Sequence, residues 1–244
     1  MTGRGSLERP GFARFVTSWA LPILDLIAGQ DYRDAARIPK QGPAIFVVNH
    51  VSKIDPVLMA RFLWRQGRMF RFLAKQQLFE APILGRFLHG LQLIPVDRAS
   101  GGGHSLQEAQ DWIARGTGVV IYPEGTLTRD PDLWPMRGHP GMVRLCLETG
   151  APLIPLAQWG GQDILPRYAK RLHLVPRKQF HVQAGNPIPA STVRDWVRED
   201  GVRGATDRIM LQITSLLEQL RGPKPPRGLW SPRHGSSSDG EGNS

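Results

Sequence analysis

"PAIFVVNHVSKIDP", residues 43–56, decides how the chain is read. Its first six residues form an unbroken apolar run rich in β-branched side chains. The run is short enough for a strand and apolar enough for one covered on both faces. Asn49 ends it, His50 follows, and Asp55 stands five positions later, directly before Pro56. Aspartate before proline reads as an N-cap followed by the first helical residue, opening a helix to about Gln66. On a continuous helix, side chains five residues apart diverge. On a turn feeding a helix they can meet, one carboxylate oxygen holding an imidazole nitrogen while the other nitrogen stays free as a base.

The flanking stretches alternate in the same manner. "MFRFLA" (69–74) and "LQLIPV" (91–96) read as strands around a helix, "APILGRFLHG" (81–90). "SLQEAQDWIARG" (105–116) sets Ser105 and Glu108 at capping-box spacing and stops on Gly116, which predicts a helix. "GVVIY" (118–122) is a strand that runs straight into Pro-Glu-Gly-Thr; "PGMVRLCLETG" (140–150) is a helix and "PLIPLAQW" (152–159) a strand. Residues 173–184 predict one or two edge strands. A helix follows over about 191–220, interrupted near Gly201–Gly204. Strands alternating with helices predict an α/β fold, a central largely parallel or mixed sheet flanked by helices, with ligands at the strand C-termini. The chain divides into an N-terminal segment (1–39), an α/β domain (40–221) and a tail (222–244) too poor in apolar residues to pack, expected to be disordered.

The 244 residues suit one such domain, and a single cysteine, Cys146, leaves no intramolecular disulfide and fits a reducing, intracellular setting. The net charge of +10 is uneven. Residues 1–75 hold 12 Lys/Arg against 5 Asp/Glu, residues 76–163 hold 6 against 9, and residues 164–244 hold 13 against 7. Basic ends around a mildly acidic middle suggest an anionic partner. No run of apolar residues is long enough to span a bilayer, and no signal-peptide pattern opens the chain. In "GFARFVTSWALPILDLIAG" (11–29), however, Phe12, Phe15, Val16, Trp19, Ile23, Leu26 and Ile27 fall on one helical stripe, with Arg14, Ser18 and Asp25 off it. Such a helix either packs on the domain or lies in a membrane interface beside anionic lipid.

Two loops carry chemistry. After the strand ending at Val48, His50 and Asp55 supply a base and its orienting carboxylate. No Gly-x-Ser-x-Gly nucleophile accompanies them, so the dyad would activate a hydroxyl of a substrate. After the strand ending at Tyr122, "YPEGTLTRD" (122–130) offers Gly125 for close approach of backbone N–H groups, the Thr126 hydroxyl and the Arg129 charge, the ingredients of a phosphate cradle. Glu124 there suits the orientation of a donor or of the acceptor.

Together the loops resemble the glycerophospholipid acyltransferase family, in particular the 1-acylglycerol-3-phosphate (lysophosphatidate) acyltransferases. The family's first motif, Asn-His-x4-Asp, is similar to Asn49, His50 and Asp55, and its third, aromatic-Pro-Glu-Gly-Thr, to Tyr122–Thr126. Between them, residues 72–98 resemble the lysine-containing segment and the second motif ending in Val-Asp-Arg, with Lys75 and Arg98 in the corresponding places. "APLIPLAQWG" (151–160) resembles the proline-bearing fourth motif, and "GNPI" the Gly-x-Pro-Ile near the domain's end. The resemblance covers about residues 40–190. It implies a glycerol-3-phosphate acyltransferase-like fold and transfer of a fatty acyl group from acyl-CoA or acyl carrier protein to the free hydroxyl of 1-acylglycerol-3-phosphate, giving phosphatidate. His50 and Asp55 would be catalytic. Lys75, Arg98, Glu124, Gly125, Thr126 and Arg129 would bind the acceptor and its phosphate. Many members continue Glu-Gly-Thr with Arg-Ser, whereas Leu127 and Thr128 intervene here, so Arg137 competes with Arg129 for that contact. No cofactor or metal is implied, and the enzyme would sit peripherally on the cytoplasmic face of the cell membrane.

Three other readings compete. The same dyad could acylate another lysophospholipid or a glycolipid. The basic balance permits a nucleic-acid-binding module, but no helix-turn-helix, zinc-finger or RRM pattern accompanies it, so no nucleic acid partner is expected. A hydrolase holding a metal on His50, Asp55 and Glu124 lacks the usual paired-histidine spacing. His139, near the third motif, is a candidate to line the pocket.

Overall fold

A computed structural model describes residues 22–80, 86, 93–96, 103–169, 171–223 and 228–231. The helix expected over 11–29 therefore lies mostly outside the described residues, as do the helix over 81–90 apart from Arg86, and Arg98. Seven strands are described: β1 (Ala28–Arg33), β2 (Ala44–Val48), β3 (Phe70–Lys75), β4 (Ile94–Val96), β5 (Gly118–Ile121), β6 (Leu153–Trp159) and β7 (Lys178–Ala184). Among the described residues, helical residues 22–27 precede β1, and the numbered helices are α1 (Asp55–Arg65), α2 (Gly103–Ala114), α3 (Gly141–Thr149), the single turn α4 (Gly161–Ile164) and α5 (Ala190–Arg221). The strands form one sheet in the order β1-β7-β6-β2-β5-β3-β4. Every pairing is parallel except β6 with β7.

β2 is central, between β5 and β6, and its burial explains the continuous apolar run. Ile45 and Val47 face a core built with Val119, Leu153, Met142, Leu145, Ile209 and Ile213, drawn from the sheet, α3 and α5. Phe46 and Val48 face the opposite core, with Val120, Leu156 and Phe180, against Leu58, Met59, Phe62 and Leu63 of α1. Each of those four α1 side chains is fully buried, worth roughly 1.5–3 kcal/mol apiece for the larger ones. Cys146 packs, buried, in the α3 layer, and burial pushes its thiol up to about 11.

Several boundaries depart from the sequence reading. β1 lies inside the stretch divided off as residues 1–39, and it pairs along β7 from Ala28↔Lys178 to Arg33↔Gln183. β7 is consequently an inner strand, not an edge. Ser105 does not cap α2: its hydroxyl donates to the Pro95 carbonyl of β4 at 2.8 Å. The tail is not wholly detached, since Trp230 bridges to Met136 and accepts the Arg137 N–H at 2.9 Å. α5 does break where two glycines were noted, Gly201 having φ 70° and ψ 175°. Among the described residues no helix is long and apolar enough to cross a membrane.

Because β2, β5 and β6 run parallel, the segments after Val48, Ile121 and Trp159 all leave from one end of the sheet. Chemistry-bearing loops far apart in sequence thereby become neighbours.

Candidate active site

Asn49 is the first residue beyond β2, and it fastens the strand end to β6. Its Oδ1 accepts the Gln158 N–H at 2.8 Å and its Nδ2 donates to the Gln158 carbonyl at 3.1 Å. Gln158 Nε2 returns a bond to the Asn49 carbonyl at 2.8 Å. All of this is buried, so the bonds replace water for groups that would be costly to leave unpaired. Asn49 is thus a clamp at the base of the loop.

His50 is held on three sides. Its N–H donates to Glu124 Oε1 at 2.9 Å, and its carbonyl accepts the Thr128 N–H at 2.7 Å. The imidazole stacks on Tyr122, ring centroids 4.3 Å apart. Nδ1 lies 3.0 Å from Asp55 Oδ2, and the side chain is 16% exposed while that of Asp55 is fully buried. Oδ2 also accepts the N–H groups of Val51 and Ser52, each at 2.7 Å. The expected N-cap is therefore corrected. Asp55 opens α1 as its first residue, with Ile54 at the cap position, and its carboxylate gathers the loop behind it, not the helix ahead. A carboxylate at Nδ1 favours the tautomer protonated there, which leaves the Nε2 lone pair to accept a proton.

The opposite wall is equally specific. Gly161, opening α4, sits so close that a Cβ there would lie 2.3 Å from Asp55 Oδ1. Ser52 Oγ donates to the Leu165 carbonyl at 2.5 Å, and Arg167 Nη1 donates to the Thr128 carbonyl at 2.5 Å. The segment after α4 is thereby tied to both chemical loops.

The third-motif loop holds the predicted residues in unequal ways. Gly125 has φ 69°, a left-handed conformation suited to glycine, and its N–H donates to the Tyr122 carbonyl at 2.9 Å. Glu124 is buried, and both its oxygens are taken by backbone: Oε1 by His50 and Oε2 by the Met136 N–H at 3.2 Å. It braces the first loop against the third, which differs from its expected place beside the acceptor and from a role as a third metal ligand. Burial pushes its carboxyl up to about 8, outweighing the opposite pull of those two amides and of the Thr128 hydroxyl. Thr126 is half-buried and Arg129 exposed on the same loop. Arg137, the competing arginine, pairs instead with Asp207 of α5 at 2.8 Å. Arg129 has no ion-pair partner among the described residues, so of the two it is the one available to a ligand. His139 is exposed, its N–H bonded to the Pro123 carbonyl. Lys75 ends β3, opposite Val96 of β4; its side chain, like Arg98, lies outside the description.

Sequence reasoning missed Gln158, Thr128, Gly161, Ser52 and Arg167. Gln158 did leave a signal, an amide in an otherwise apolar strand next to an asparagine-ended one. A cavity of about 580 Å³ lies elsewhere, lined by residues such as Asp34, Arg37, Gly185 and Trp196 and by none of the dyad or third motif.

Residues 30–159 match the family model for acyltransferases, more than half of the chain. This chain belongs to the acyltransferase family. Within the family it is 25% identical over 162 residues to a chloroplastic 1-acyl-sn-glycerol-3-phosphate acyltransferase of Brassica napus, covering 65% of this chain and 45% of that one. It thus spans less than half the length of that relative. It is 26% identical over 189 residues to the lyso-ornithine lipid O-acyltransferase of Pseudomonas aeruginosa, covering 72% and 70% of the two chains. The fold is shared with the crystal structure of the acyltransferase PlsC from Thermotoga maritima, with a TM-score of 0.56 and 21% identity over 82% of this chain and 83% of that one.

Proposed function

We propose that this acyltransferase moves a fatty acyl group from an acyl thioester, acyl-CoA or acyl carrier protein, to the free hydroxyl of 1-acylglycerol-3-phosphate, giving phosphatidate. The observation that carries the reading is the 3.0 Å contact between His50 Nδ1 and the fully buried Asp55 carboxylate. His50 Nε2 takes the hydroxyl proton as that oxygen attacks the thioester carbonyl. The tetrahedral intermediate then collapses, its C–S bond breaks, and the departing thiolate takes the proton from the imidazolium. Asp55 stays ionised, fixing the tautomer and stabilising the cation. General-base help of this kind is worth about 10²–10⁴-fold.

Arg129, Thr126 and the Gly125 turn are on the loop that packs against His50, which supports their role as acceptor-phosphate contacts; Lys75 and Arg98 complete the expected set. Fixing the phosphate selects which hydroxyl reaches Nε2. The reaction requires no cofactor. Since the lysolipid acceptor partitions into lipid, the enzyme works peripherally at an anionic membrane surface, on the cytoplasmic face. The relative named for lyso-ornithine lipid supports a second reading, in which the same dyad acylates a different lysolipid. Purified enzyme assayed for thiol release with lysophosphatidate, other lysophospholipids, lyso-ornithine lipid and a panel of acyl-CoAs separates them. The first reading expects lysophosphatidate to give the highest kcat/KM, and preference for another acceptor overturns it.

A further inference from the structure

The segment joining α4 to β7, residues 165–177, has a composition that the chemistry leaves unexplained. It reads "LPRYAKRLHLVPR" and is followed by Lys178. From Ile164 to Arg194 there is no Asp or Glu, whereas Arg167, Lys170, Arg171, Arg177 and Lys178 crowd the first half. Every residue from Arg171 to Arg177 is exposed. The apolar side chains there are not tucked inward: Val175 is 90% exposed, Tyr168 80% and Leu172 48%.

A second apolar set lies alongside. In the helical turn preceding β1, Leu24 is buried, but Ile23 is 61% and Leu26 76% exposed. Bonds from α1, from Arg177 and from Gln30 of β1, among them a contact of Arg65 with the Asp25 carboxylate, hold this turn in place. Asp25 is gripped by Arg61 of α1, whose Nε donates to Oδ1 at 2.8 Å. Arg177 then donates to the Asp25 carbonyl at 2.6 Å, which seats the end of the basic segment directly on the turn. Isolated exposed apolar residues need no explanation, but two sets joined by such a bond and rimmed by cations form a surface with a partner. The segment also reaches the chemistry, through Ser52 to Leu165 and through Arg167 to Thr128.

We infer that the described residues 165–169 and 171–177 form a membrane-docking element beside the active site, which inserts Tyr168, Leu172 and Val175 among anionic lipids next to Ile23 and Leu26. Within the segment, cations flank apolar and aromatic side chains with no acid among them, and Asp25, between Ile23 and Leu26, is neutralised by Arg61 and Arg65, so the surface matches the negative interface of a bilayer. An acidic carrier protein would satisfy the charges but would leave Val175 and Tyr168 without a place, which favours the bilayer. The inference rests on the lipid-substrate reading above and adds where the leaflet meets the protein. A lysolipid would leave the leaflet at the segment that braces the dyad.

The test uses the full chain. Flotation with vesicles of phosphatidylcholine, and of an equal mixture with phosphatidylglycerol, is compared for wild type, Tyr168→Ser/Val175→Ser and Arg171→Glu. Turnover of a short-chain, monomeric lysophosphatidate is followed in parallel. The expected result is binding of wild type to mixed vesicles and a loss of at least about tenfold in apparent affinity for the double variant. Arg171→Glu should weaken binding to mixed vesicles only, and monomeric turnover should be unchanged in all three. A polarity-sensitive dye on Val175→Cys should shift to the blue on vesicles. The same dye on Leu211→Cys, exposed on α5 across the sheet, should not. Equal flotation of wild type and variants with an unshifted Val175 label overturns the inference and leaves acyl transfer intact. Wild type that turns over monomeric substrate yet floats with neither vesicle overturns the inference together with the membrane reading. Loss of carrier-protein donor turnover in the variants with unchanged flotation reassigns the surface to that protein and overturns the inference. Wild type that floats but acylates nothing removes the functional reading on which the inference rests.

Discussion

Asp55→Asn separates the electrostatic part of the proposed mechanism from its geometry. The carboxylate accepts three donors at Oδ2, two amides at 2.7 Å and His50 Nδ1 at 3.0 Å. In Asn the carbonyl oxygen can occupy that position, with the amide nitrogen where Oδ1 now lies, so the loop keeps its shape. What is lost is the charge facing the imidazolium as the proton arrives. With charge centres about 4 Å apart at an effective dielectric near 20, that attraction is worth about 4 kcal/mol. At 1.36 kcal/mol per decade the rate should fall by about 10³-fold. The loss should appear in kcat, with the KM of each substrate nearly unchanged, because the interaction grows only as the transition state forms. Thiol release by purified variant, with circular dichroism to verify folding, measures it. A folded Asp55→Asn enzyme within about tenfold of wild type would refute the assignment of Asp55 as the group that stabilises the cation.

Other residues yield equally definite expectations. Gly161→Ala places a methyl group against Asp55 Oδ1, 2.3 Å away before relaxation, so the enzyme should lose activity well beyond its loss of thermal stability; equal kcat in the variant contradicts the tight packing. Arg129→Ala should raise the acceptor KM by about tenfold or more with little change for the donor, whereas Arg137→Ala, whose partner is Asp207, should leave both near wild type; the reverse pattern transfers the phosphate contact to Arg137. Glu124 titrates at about 8 in the fold against an ordinary 4.5, so the folded protein binds the extra proton between those values and its stability falls as pH rises through that window. The slope from this group is up to about 1.4 kcal/mol per pH unit. Urea denaturation at pH 5 and pH 8 should show that decline in wild type and lose it in Glu124→Gln; parallel pH dependence in the two proteins contradicts it.

How much of this could be read from residues alone follows from what each residue's surroundings demand. The central strand was legible because both its faces are buried, so Ile45 to Val48 carry no polar side chain. The contact between His50 and Asp55 was legible because the two residues stand at opposite ends of one short turn feeding a helix, close enough to meet. β1 was not legible: "AGQDYR" is half polar, and its pairing is decided by β7, far away in sequence. Asp55 imitated an N-cap because aspartate before proline is the local signature of one, while the donors that claim its carboxylate lie behind it. Glu124 resembled a ligand contact for a related reason. Two of its partners are main-chain amides, one of them on the neighbouring loop, and backbone groups leave no trace in a sequence. Trp230, in a stretch of tail that reads as unstructured, is recruited by the Met136 backbone.

The central claim is that His50 is the base. Purified, folded His50→Ala assayed for thiol release with lysophosphatidate and acyl-CoA tests it most directly. The account predicts a fall in kcat of at least about 10²-fold with acceptor binding retained; a variant keeping more than about a tenth of the wild-type rate would contradict it.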